Sequence, residues 1–133
     1  MEPLRILLAD DHPVVRQGLR RLLEERPDWR VVAEAADGQE AVRQAEEHRP
    51  DVAVIDIGMP LLNAVETTRE ITRRVPGTRV LVLSMHSDET YVTQMLKAGA
   101  TGYLLKDSVE LDLQQAVSDV SQGTRFVRSR ITS

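Results

Sequence analysis

LLADDHP, residues 7–13, decides how the chain is read. An apolar run stops at two adjacent carboxylates, Asp10 and Asp11, and Pro13 follows. Leu4 to Ala9 is nearly all apolar, as a strand buried on both faces of a parallel sheet should be. Pro13 suits a first helical turn, where its missing N–H costs nothing. Val14, Val15, Leu19, Leu22 and Leu23 then recur at helical spacing. Two like charges about 4 Å apart repel by roughly 4 kcal/mol at an effective dielectric near 20. An acid pair at a strand end therefore needs a reason: a helix cap, or part of a cation site.

The same alternation continues outward. Trp29 to Ala36 and Val52 to Ile55 read as the second and third strands, the third ending at Asp56. Between them Ala41, Val42 and Ala45 mark a short helix that stops before Pro50. Val65, Thr68, Ile71 and Val75 give a third helix, and Pro76-Gly77 a turn. Val80 to Leu83 is the fourth strand, ending at Ser84. Tyr91, Val92, Met95 and Leu96 lie on a fourth helix that Gly99 can cap in a left-handed conformation. Gly102 to Leu105 is a short fifth strand ending at Lys106, and Leu113, Ala116, Val117 and Val120 line a last helix. Five strands alternating with five helices predict a parallel α/β sheet covered on both faces, with right-handed crossovers.

In such sheets ligands bind at the carboxyl ends of the strands. Those ends carry Asp10-Asp11, Asp56, Ser84 and Lys106. Three carboxylates need a cation, and oxygen ligands without cysteine point to Mg²⁺. A carboxylate can attack a phosphoryl group to give an aspartyl phosphate, a transfer that depends mostly on positioning and charge neutralisation. Lys106 would supply a compact charge and Ser84 a hydroxyl donor. Each residue also has an ordinary reading. Asp10 or Asp11 can cap the first helix, Asp56 can be a turn residue, and Asp107 or Ser108 can cap the last helix.

Composition narrows the alternatives. The length of 133 residues suits one domain. There are no cysteines, which excludes disulfides and thiolate chemistry. A net charge of −4 and a pI near 5.4 argue against this chain gripping nucleic acid through its phosphates. No membrane span or signal peptide is visible, so a cytoplasmic location is expected. Only two lysines, Lys97 and Lys106, stand among 17 basic residues, so a lysine at a strand end is less readily dismissed as surface filler. A serine-hydrolase triad lacks its G-x-S-x-G elbow, and no glycine-rich nucleotide loop occurs. Asp56 is followed by Ile57-Gly58-Met59-Pro60, which lacks the Asp-x-Asp-x-Thr signature of haloacid-dehalogenase-type phosphohydrolases.

Taken together, ADDHP, DIGMP, VLSMH and GYLLKD resemble a response-regulator receiver domain, in order and in spacing, over residues 4–121. DDHPVVRQGL, MPLLN and KAGATGYLLKD are similar to the NarL/FixJ (LuxR-type) subfamily. The resemblance implies a flavodoxin-like (βα)5 fold with strand order 2-1-3-4-5. It implies that Asp56 accepts a phosphoryl group from a sensor histidine kinase. It further implies that Asp10, Asp11, Asp56 and the backbone carbonyl of Gly58 hold Mg²⁺, and that Lys106 contacts the phosphoryl group. Ser84 and Tyr103 would form the switch pair, Tyr103 swinging inward on activation. His12 is expected to be structural, and His86 receives no role. Ala64 stands where the family usually has glycine. A left-handed backbone there would cost about 1–2 kcal/mol; otherwise the loop takes an ordinary conformation.

Residues 1–121 are therefore expected to form the receiver. Residues 122–133, QGTRFVRSRITS, show no clear element and read as the start of a linker. The subfamily usually continues into a C-terminal helix-turn-helix that binds DNA, so the expected partners are the kinase, that output domain and a second copy of the chain.

Overall fold

The computed structural model describes residues 3–58, 63–85 and 89–128. Among the described residues six strands and five helices alternate: β1 (Leu4–Ala9), α1 (Pro13–Glu24), β2 (Trp29–Ala35), α2 (Gly38–His48), β3 (Val52–Asp56), α3 (Ala64–Arg74), β4 (Arg79–Ser84), α4 (Glu89–Lys97), β5 (Gly102–Leu105), α5 (Val109–Ser121) and β6 (Phe126–Arg128). The strands form one sheet in the order β2-β1-β3-β4-β5-β6, and every neighbouring pair is parallel. The first five strands keep the expected 2-1-3-4-5 order.

Alternation along the strands divides the interior into two layers. Ile6 and Leu8 of β1 join Val52, Val54, Leu81, Leu83 and Leu104 beneath α1 and α5. Leu7 and Ala9 join Ala53, Ile55, Val80, Val82 and Tyr103 on the side covered by α2, α3 and α4. Both layers exclude water, which explains the nearly unbroken apolar strands. Among the described residues no helix is long and apolar enough to cross a membrane.

Local signals set the element ends. Asp37 caps α2 by accepting from the Glu40 N–H at 2.8 Å, and Asn63 caps α3 by accepting from the Glu66 N–H at 2.9 Å. Gly99 follows α4 at φ +113°, in the left-handed role anticipated for it. Ala64 is an ordinary first helical residue of α3, so it carries no left-handed strain. Met59 to Leu62 of the preceding loop, and His86, lie outside the described residues.

The C-terminal reading needs correction. Residues 126–128 are not irregular linker; they form a sixth strand beside β5, with Tyr103 opposite Val127. Phe126 is buried in the α1/α5 layer, and Val127 packs against the opposite one. Gly102 eases the approach, since a Cβ there would lie 3.2 Å from the Phe126 carbonyl; it would also meet Val120 of α5 at 2.6 Å and Leu81 of β4 at 2.8 Å. Gly123 supplies the turn at φ +82°, with the Arg79 guanidinium over its bare face.

Candidate functional site

All the strand-end groups lie at one edge of the sheet because all the strands are parallel. Asp10, at the end of β1, and Asp56, the last residue of β3, are buried side by side at the centre of the strand order. Lys106 follows β5 and reaches back, its Nζ 2.6 Å from Asp56 Oδ1. The same oxygen accepts weakly from the Gly58 N–H at 3.3 Å. Ser84 ends β4 and is fully buried. Tyr103 is also fully buried, on β5, the strand next to Ser84.

The helix-cap explanation of the acid pair fails on geometry. The N-cap position of α1 is His12, and no side chain caps it. Asp10 Oδ1 instead accepts from the His12 N–H at 2.8 Å, which bends the chain just after β1. Asp10 Oδ2 and Asp56 Oδ2 are buried atoms without a hydrogen-bond partner, and the buried Asp11 Oδ1 faces only the exposed His12 ring. Ser108, the N-cap residue of α5, likewise makes no capping bond.

Buried carboxylate oxygens without donors are costly. Burial pushes the Asp10 carboxyl above its ordinary pKa; the His12 N–H opposes that rise, the Asp56 charge adds to it, and Lys106 opposes it. One ammonium faces three carboxylates here. Ligand atoms of Asp10, Asp11, His12 and Asp56 all lie within 4.8 Å of one another. Hard oxygen donors, unmet and converging, fit a small divalent cation such as Mg²⁺. His12 is a newcomer to this cluster. Its ring is exposed, with Nδ1 3.0 Å from Asp11 Oδ1. The sequence signal was simple adjacency to the acid pair, outweighed by the ordinary helix-start reading.

An apolar groove of about 500 Å³ opens onto this edge between α1 and α5. Val15, Leu19, Leu22 and Val109 line it, and Asp10 and Lys106 stand at its margin.

Residues 6–118 match the response regulator receiver domain. The chain belongs to that family. This receiver is 45% identical over 129 residues to the transcriptional regulatory protein DegU of Brevibacillus brevis, covering 97% of this chain and 55% of that protein. It is 44% identical over 131 residues to the oxygen regulatory protein NreC of Staphylococcus epidermidis, covering 98% and 60%. The receiver thus spans little more than half the length of these curated relatives. Among solved structures, a LuxR-family two-component response regulator from an Aurantimonas species superimposes with a TM-score of 0.90 at 41% identity, covering 98% of this chain and 92% of that one. The receiver domain of a NarL response regulator from Mycobacterium tuberculosis gives 0.86 at 38%, covering 92% and 99%. The flavodoxin-like receiver fold and the LuxR-type kinship are therefore both shown. Receivers of transcriptional response regulators are not enzymes in the ordinary sense.

Proposed function

We propose that Asp56 is the phosphoacceptor of a two-component signalling switch, charged by a sensor histidine kinase. What carries the reading is the meeting of a buried Asp56, held by Lys106 at 2.6 Å, with the unpartnered Asp10 Oδ2 and the neighbouring Asp11 carboxylate. An Asp56 oxygen attacks the phosphorus of a phosphohistidine. The new O–P bond forms as the P–N bond breaks, and the departing imidazole takes up a proton from solvent. Lys106 turns its charge from the carboxylate to the incoming phosphoryl oxygens. Ser84, at the end of the adjacent strand, donates to another of those oxygens. The buried setting excludes competing water and strengthens each of these contacts.

Asp10, Asp11, Asp56 and the Gly58 carbonyl would hold Mg²⁺. When bound, the ion neutralises charge shared between the carboxylates and the phosphoryl group. The apolar groove between α1 and α5 gives a kinase helix a place to dock with its phosphohistidine over Asp56. Once Asp56 is phosphorylated, Ser84 and Tyr103 bias β5 and its flanking helices between two arrangements. The output is DNA binding by a helix-turn-helix domain joined after this receiver, with pairing of two copies as one means of coupling. A cytoplasmic setting follows from that role.

The test is to incubate the chain with Mg²⁺ and acetyl phosphate and record intact mass. A gain of one phosphoryl mass that needs Mg²⁺ and disappears in Asp56→Asn is expected. No adduct, or an undiminished adduct on Asp56→Asn, overturns the assignment.

A further inference from the structure

We propose that Arg16 is a positioning residue for the acidic site: its guanidinium tethers the Asp10–Asp11 peptide to β2 and so presets the carboxylates for a divalent cation. The proposal rests on the metal reading of the acidic cluster. Arg16 stands one turn into α1 and is four-fifths buried. Its Nη1 donates to the Asp10 carbonyl at 2.6 Å, and its Nε donates to Glu34 Oε1 of β2 at 2.8 Å. The Asp10 N–H donates in turn to the Ala35 carbonyl at 2.9 Å. Asp10 is therefore held to β2 from both of its backbone groups, directly on one side and through Arg16 on the other.

The consequence falls on Asp11. The Asp10 carbonyl and the Asp11 N–H share one rigid peptide plane. Holding that oxygen restrains the plane that carries the Asp11 Cα, and so narrows the space the Asp11 carboxylate can reach. The first α1 amide known to bond within the helix, that of Arg16, goes to the His12 carbonyl, so the helix does not use the Asp10 carbonyl. Without Arg16, a loop bearing mutually repelling carboxylates is free to turn the peptide and spread the charges apart. Arginine is suited to the task because its planar fork serves a carbonyl and a carboxylate at once, which an ammonium does less well.

Charge and geometry predict opposite signs here. A guanidinium acting only through its charge repels an incoming cation, so its removal would tighten binding. One acting as a tether lowers the reorganisation that binding requires, so its removal weakens binding. Arg20 is the matched control. It donates to the other Glu34 oxygen at 2.6 Å from the same helix, and its loss also deletes one positive charge and one α1–β2 link.

The experiment titrates Mg²⁺ alone into the whole chain by calorimetry, for the unaltered protein, Arg16→Ala, Arg16→Lys and Arg20→Ala, with thermal melts in EDTA alongside. Loss of an outer-shell partner costs about tenfold or more in metal affinity, and that is the loss expected for Arg16→Ala. Arg16→Lys should recover part of it, and Arg20→Ala should change affinity less than about threefold, the scale of a surface ion pair. Should Arg16→Ala not fold, the gap between Arg16→Lys and Arg20→Ala decides. Unchanged or tighter binding in the Arg16 variants, or an equal loss in Arg20→Ala, overturns the tether while leaving the metal site standing. An unaltered chain that takes up no Mg²⁺ overturns the metal reading, and the tether falls with it.

Discussion

Asp10 and Lys106 sit in the same site and should have opposite effects on stability. The Asp10 carboxyl is raised above its ordinary value of 3.8, chiefly by burial. A folded-state pKa above the unfolded one means that the folded chain holds the proton more tightly. Its stability therefore falls as pH rises from the unfolded value through the raised one, and the loss persists at neutral pH. Asp10→Asn removes the charge and its repulsion with Asp56. It should raise the melting temperature in EDTA, by about 3–5 °C for each kcal/mol relieved, while weakening Mg²⁺ uptake severely. Thermal melts with and without Mg²⁺ check both halves; a lower melting point in EDTA would contradict the argument. Lys106→Ala does the reverse. It strips the one ammonium from a fully buried Asp56. Breaking a buried pair leaves an uncompensated charge, and with Lys106 a quarter exposed the cost should be about 1–3 kcal/mol by urea unfolding. The site was legible because each group ends a strand, and parallel strands bring their ends together. Arg16 was not, because its partners are a carbonyl and a residue 18 positions away, and neither leaves a periodic mark.

The inward faces of the helices follow the sequence spacing except at the start of α1: Leu19 and Leu23 of α1 and Leu113, Ala116, Val117 and Val120 of α5 all enter the same layer, whereas Val14 and Val15 stay exposed. Periodicity reports burial on a face well because a helix that buries one side must repeat it. It says less about ends. α2 closes at Arg49, which adopts φ +47° and ψ +60°, a left-handed cap where glycine would ordinarily stand. That cap has no side-chain signature. The chain accepts the strain, and the Arg49 N–H bonds back to the Ala45 carbonyl at 2.8 Å. Arg49→Gly should therefore stabilise the protein by about 0.5–1 kcal/mol, the left-handed penalty less the extra chain entropy of glycine. Arg5 donates to the backbone carbonyl at position 49, so that bond survives the change. Equilibrium urea unfolding measures the gain, and a destabilised variant would show that the arginine side chain contributes more than the strain costs.

At the scale of the whole molecule, β6 changes which strand lies at the boundary of the sheet. With five strands alone, β5 would be the edge and its outer backbone groups would face solvent. Here β6 pairs along β5, and Tyr103 becomes an interior residue opposite Val127. Three residues with one buried aromatic, preceded by Arg125 and ending in Arg128, are too short to register as a strand in the sequence. Their stability comes from β5 and from the missing Cβ of Gly102. The segment is thus part of the folded domain. Because β6 runs parallel to β5, the chain leaves it at the sheet edge that carries Asp56, Ser84 and Lys106. Two variants test the structural half of this. Phe126→Ala empties a nearly buried aromatic site, at a cost of about 2–4 kcal/mol given its place near the sheet margin. Truncation after Gly123 removes the same burial and also uncovers the β5 edge, so it should cost at least as much. Both should lower the melting temperature by roughly 3–5 °C per kcal/mol lost. Gly102→Ala should join them, since its new methyl meets Val120 and Leu81 inside contact distance. Only the Phe126 carbonyl contact of the new methyl belongs to β6, so adding Gly102→Ala to the truncated chain should cost somewhat less than adding it to the full one, the Val120 and Leu81 contacts keeping most of the penalty. If the truncated chain melts with the full one, residues 124–133 are a linker after all and β6 contributes nothing to the fold.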